Sequence, residues 1–132
     1  ELRTPAFLTQ EYADVLEATG AAHCYNVHPA MAPLEQQAAS ISPFYQPALV
    51  VRWMLHAGLR YEAAKDRYEP FDRLVEEDAD SRERIAQMVL DAAVAERGSF
   101  VVVNNKAEGS APLSIFRLAE RIADWGGPSD AA

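Results

Sequence analysis

With 132 residues, 49% of them hydrophobic, and a formal net charge of −8, the chain has the size and composition of one folded domain with a real core. The acidic balance argues against sequence-independent binding to nucleic acid, which needs a cationic face. It leaves room for a small anion held in one locally positive pocket. No apolar run reaches bilayer length, no basic and apolar leader opens the chain, and the lone Cys24 excludes an internal disulfide; a cytoplasmic protein, with no membrane partner, is expected.

Glu1-Leu2-Arg3 runs directly into Thr4-Pro5, so the chain opens on what reads as the end of a strand and is expected to be a fragment. Thr9–Thr19 reads as an amphipathic helix capped by Thr9, with Tyr12, Val15 and Leu16 on its apolar face and Gly20 as its stop. Ala21–Val27 is the next strand, with Cys24, Asn26 and His28 on one parity and His23, Tyr25 and Val27 on the other. Proline density makes Ala30–Pro47 mostly loop, with a short helix over Leu34–Ser40. Ala48–Leu55 is a second strand, interrupted by Arg52, which must face a carboxylate or lie near the strand end. Leu59–Leu74 reads as loop with short helices. Asp80–Arg97 is a helix with Asp80 and Glu83 as a capping-box-like start, Ile85, Met88, Val89 and Ala92 on one face, and Gly98 as its end.

Phe100–Val103 is a fully apolar, largely β-branched run, suited to a strand buried on both faces. It ends in Asn104 and Asn105, and a loop with Lys106 and Gly109 leads to Ser110 and Pro112, residues suited to a helix start. A last helix is expected from about Ala111 to Trp125, with Leu113, Phe116, Ala119 and Ile122 as its stripe, followed by a small-residue tail over 126–132. Strands alternating with helices predict an α/β fold with a parallel sheet and right-handed crossovers.

Three stretches resemble the domain-of-unknown-function 72 family (YecE-like proteins). Glu1-Leu2-Arg3 with Pro5-Ala6-Phe7 looks like that family's glutamate-and-arginine strand end before a helix. Val51-Arg52 with His56-Ala57-Gly58 and Tyr61 looks like its arginine-histidine-glycine strand, although Trp53-Met54-Leu55 separate Arg52 from His56 where one residue is usual. Val103-Asn104-Asn105 with Gly109 looks like its paired-asparagine strand, and Leu118 in the last helix also fits. The similarity spans nearly the whole chain but only the family's second half. It implies a parallel-stranded, TIM-type (β/α) barrel of unestablished activity. Such a barrel takes eight strands and about 250 residues, so residues 1–125 supply about half, and the rest must come from the same protein or from a second copy.

In α/β folds ligands bind where strands deliver polar groups at their carboxyl ends. The expected ligand is therefore a small anion, bearing phosphate or carboxylate, held by Arg3, Arg52, Lys106 and the amides of Gly109 and Ser110 at a helix start. A tight turn with a capping serine explains the last two equally simply. Adjacent strand residues face opposite ways, so one of Asn104 and Asn105 is expected to reach the mouth and the other to tie the loop. Asn26, His28 and Tyr61 complete the binding candidates, and Glu1 and His56 are the candidates for moving protons. Glu1 serves as a base only if desolvation raises its pKa. None of the three histidines falls in a metal-ligating motif, and no metal or cofactor is expected. A non-catalytic binding or assembly module is the competing reading, and a metal-dependent phosphodiester hydrolase a weaker one by fold analogy.

Overall fold

Each strand is a short run rich in β-branched and aromatic residues that stops at a breaking or polar residue: β1 (Cys24–Val27) before His28-Pro29, β2 (Leu49–Trp53) after Pro47, β3 (Ser99–Val103) before the paired asparagines. The computed structural model describes residues 1–125, so the tail expected over 126–132 lies outside it. The strands pair in parallel in the order β1-β2-β3, and the described helices are α1 (Gln10–Thr19), α2 (Leu34–Ser40), α3 (Tyr61–Tyr68), α4 (Ala79–Val94) and α5 (Ala111–Ala123). This is the α/β arrangement expected, consistent with half of a β/α-barrel-like fold. Among the described residues no helix is long and apolar enough to cross a membrane.

Cα partners in a parallel ladder share a face, and neighbours along a strand alternate. The register therefore puts Tyr25, Val27, Val51, Trp53, Val101 and Val103 on one face and Cys24, Asn26, Val50, Arg52, Phe100 and Val102 on the other. The first face packs against Leu34 of α2, against Ile85, Ala86, Met88 and Ala92 of α4, and against Leu118 of α5 to make the core. Trp53, Val51 and Tyr25 are fully buried there, and each such side chain contributes about 1.5–3 kcal/mol relative to exposure. A satellite cluster of Leu55, Ala64 and Tyr68 seats α3 beside the end of β2.

Among the described residues the second face has no helical layer. Phe100 is 63% exposed and Val102 53%, so β3 is covered on one face only, against the expectation of burial on both. A continuous apolar run signals that both faces are suited to burial; it does not supply the second layer. The α5 stripe also differs from expectation. Ser114 and Leu118 are the buried residues, whereas Leu113 and Phe116 are exposed. Apolar residues surround most of this helix (Leu113, Ile115, Phe116, Leu118, Ala119, Ile122), so periodicity does not choose the inward arc.

Helix ends follow local chemistry. The Thr9 hydroxyl accepts from the Tyr12 amide at 3.3 Å, and Gly20 closes α1 in the left-handed region at φ 69°. Asp78, not Asp80, caps α4 by accepting from the Ser81 amide at 3.1 Å. The acidic run 76–80 offers several caps, and the helix takes the one that turns Ile85, Met88 and Ala92 to the sheet.

His23, just before β1, is fully buried, with Nδ1 2.9 Å from the Tyr12 hydroxyl and its ring edge-on to Tyr25. Burial lowers its pKa from 6.5 to about 4. Above the unfolded value both states carry neutral imidazole. As pH falls from 6.5 to about 4 only the unfolded chain takes the proton, so stability is lost over that window, by up to about 3 kcal/mol. Urea unfolding at pH 7 and pH 4.5 is expected to show this loss in the native protein and a smaller one in His23→Phe; equal losses would show that His23 does not carry it.

Candidate functional site

Register sets Asn26, Arg52 and Val102 side by side on the uncovered face, in the carboxyl-terminal half of each strand. The segment Glu1–Arg3 lies against them. Asn26 Nδ2 donates to the Leu2 carbonyl at 3.0 Å, Arg52 donates to one carboxylate oxygen of Glu1, and Arg3 Nε donates to the other at 2.7 Å. Arg52 thus faces a carboxylate, as an arginine in an apolar strand must. Burial pushes the Glu1 carboxyl up, but the hydrogen bonds and charges of Arg52 and Arg3 outweigh it and hold the group below the ordinary carboxylate value. The shift is opposite to the one that the general-base expectation for Glu1 requires.

His28 follows β1 directly. Burial and the Arg3 charge lower its pKa, outweighing the Glu1 carboxylate. Its Nδ1 is 3.0 Å from the Ala30 amide, which can only donate; the remaining proton therefore sits on Nε2 as a hydrogen-bond donor.

A second polar group crowns β2 and β3, and it is built differently from the sequence expectation. His56 Nδ1 lies 3.0 Å from the Ala57 carbonyl, and its amide donates to the Lys106 carbonyl. The Lys106 ammonium sits 4.2 Å from the centre of the Tyr61 ring and 5.5 Å from that of Phe71, a cation–π seat. Asn104 Oδ1 accepts from the Lys106 amide and Asn105 Oδ1 from the Ala111 amide, so both asparagines tie down backbone where one was expected to reach the mouth. Asn105 does the capping assigned to Ser110, whose buried hydroxyl makes no cap bond.

The anion seat expected at Gly109 and Ser110 is closed. The Gly109 amide donates to the Asn105 carbonyl at 2.8 Å. At φ 124° only glycine is unstrained, and a Cβ there would lie 2.4 Å from the Arg73 carbonyl. The loop Arg73–Glu76 lies over this position, its Val75 and Glu76 amides donating to the Glu108 carbonyl.

A cleft of about 270 Å³ opens between the β1–α2 loop, the loop after β2 and the first turn of α4. Asn26 and His28 belong to its wall, with Val27, Met31, Ala32 and Leu34 as apolar lining and Ala57 and Gly58 opposite. Among the described residues no three of His, Cys, Asp and Glu converge as a metal cluster.

Two positioning residues carry no advance signal. Gln37 is fully buried and its amide bonds both the amide and the carbonyl of Asn26, at 3.1 and 2.8 Å, and the Ala32 carbonyl at 2.6 Å. It completes the outer edge of β1 and fixes the loop that walls the cleft. Glu108, also fully buried, accepts from the Asp78 amide at 2.7 Å and from Arg82 at 2.5 Å, locking the start of α4. A glutamine in a short polar helix and a glutamate in a loop resemble surface residues until the tertiary fold closes over them.

The family described as "Protein of unknown function DUF72" matches residues 1–130. No curated protein and no solved structure matches the chain.

Proposed function

Because this chain belongs to the family of proteins of unknown function DUF72, whose description names no activity, we propose a function from the site itself: binding of a small anion, bearing phosphate or carboxylate, at the carboxyl ends of the strands on the uncovered face. The observation that carries the reading is two guanidinium groups sharing one carboxylate. Arg3 and Arg52 keep 43% and 38% of their side chains accessible while, among the described residues, only Glu1 pairs with them, leaving one net positive charge for a ligand. His28 adds its Nε2 proton as a donor. Where proton transfer accompanies binding, His28 fits the role better than Glu1, whose oxygens are both engaged, or His56, whose Nδ1 lies against the Ala57 carbonyl. The lone buried Cys24 fits a reducing, cytoplasmic compartment.

Calorimetric titration with inorganic phosphate and with acetate tests the site. Saturable binding of one of them is expected, weakened about tenfold or more in Arg52→Gln and strengthened in Glu1→Gln, which frees the guanidinium pair. Lys106→Gln is expected to bind as the native protein does. Binding that ignores Arg52, or no binding of either anion, would contradict the reading.

A second reading rests on β3. It is an edge strand with Phe100 and Val102 exposed, beside Ile115 and Phe116 exposed on α5. Such a surface fits further parallel strand–helix units that complete a barrel, which makes this chain an assembly module as well as a binding one. The chain alone is then expected to bind a hydrophobic dye or to self-associate in sedimentation, and Phe100→Lys with Val102→Lys to abolish both. A native monomer that takes up no dye would refute the assembly role.

A further inference from the structure

The apolar cleft and the arginine pair are linked through Asn26, and the two together define a shape of ligand. Asn26 is at the join: it borders the cleft, pairs in register with Arg52, and donates to Leu2 between the two residues of the ion cluster. His28 borders the cleft as well and couples electrostatically to Arg3 and Glu1. We infer that the ligand is an amphiphilic anion, its charged head on Arg3 and Arg52 and one compact apolar group, on the scale of a phenyl ring, in the cleft between the β1–α2 loop and α4. This rests on the anion-binding reading above and narrows it to a substrate class.

Three features set the orientation and the size. The cleft offers no free cation for the head, because its one arginine, Arg84, is bound to Glu35 at 2.6 Å and Asp80 stands beside it. Its inner surface is the apolar set of Val27, Met31, Ala32 and Leu34, which gains from covering hydrocarbon and not from solvating charge. At about 270 Å³ it exceeds the ~150 Å³ that holds one benzene ring and falls below the ~300 Å³ at which sites for drug-sized ligands begin. A nucleotide base with its sugar is too large; an aryl or short branched acyl group fits. The wall is also held in shape, since Gln37 bonds the Asn26 backbone and the Ala32 carbonyl at once.

The test compares each simple anion with its phenyl derivative: inorganic phosphate with phenyl phosphate, and acetate with phenylacetate. Calorimetry is run on the native protein, Arg52→Gln, and Ala32→Phe, which fills the cleft from its loop. Ala57→Phe, on the opposite wall and exposed, serves as a second block that leaves the core untouched. The phenyl derivative is expected to bind about tenfold or more tightly than its parent, and each blocking variant to erase that gain while the parent still binds. The pair that shows the gain identifies the head group as phosphate or carboxylate. Equal affinity of parent and derivative, or a gain that survives both blocks, overturns the amphiphilic ligand while leaving anion binding standing. No binding of any of the four anions, or binding unchanged in Arg52→Gln, overturns both.

Discussion

The carboxylate of Glu1 held between Arg3 and Arg52 is the interaction on which the proposed anion site depends. An arginine in the middle strand of a sheet needs a counter-charge, and here the counter-charge arrives from the start of the chain. In meeting that need, Glu1 draws residues 1–3 across the face that no helix covers and brings a second guanidinium with it. The result is a cationic group at the carboxyl end of the sheet of a protein whose net charge is −8. Local excess against a global deficit is how an acidic protein holds an anion without attracting polyanions in general.

The rest of the fold holds that face in place from behind. Leu49, Val51 and Trp53 anchor β2 on α4 and α5, and the parallel register then fixes where Arg52 and Asn26 stand. Gln37 supplies the outer edge of β1 with the hydrogen bonds a further strand would give. At the other side Glu108 ties the loop after β3 to the start of α4, so that the polar crown of Asn104, Asn105 and Lys106 is spent on structure. The two ends of the strand row thus differ: Arg52 and the cleft lie toward β1 and β2, and the closed loops lie at β2 and β3.

The elements were legible in the sequence because each has a local cause. Thr9 and Gly20 bracket α1, the helix over Leu34–Ser40 matches α2, and the three apolar runs are the three strands, the first two shorter than expected and β3 one residue longer. The Arg52–Glu1 contact was legible too, since charge in an apolar strand demands a partner. Which faces are covered was not. Phe100 and Val102 carry the composition of a buried strand and lie open, and α5 turns Ser114 inward where an apolar stripe predicted Phe116. Those outcomes are decided by what stacks on the sheet, a long-range fact without local residue chemistry. The same holds for Gly109, whose amide looked available for an anion and is covered by Arg73–Val75, more than thirty positions away.

The central claim is that Arg52 and Arg3 clamp the Glu1 carboxylate, and the Glu1 side chain reports it directly. Titrating its carboxyl carbon by NMR is expected to place the pKa below that of an unperturbed glutamate, and Arg52→Gln to move it upward. A Glu1 pKa at the ordinary value, unmoved by removing Arg52, would mean that the clamp does not form in solution and that the uncovered face carries no organised site.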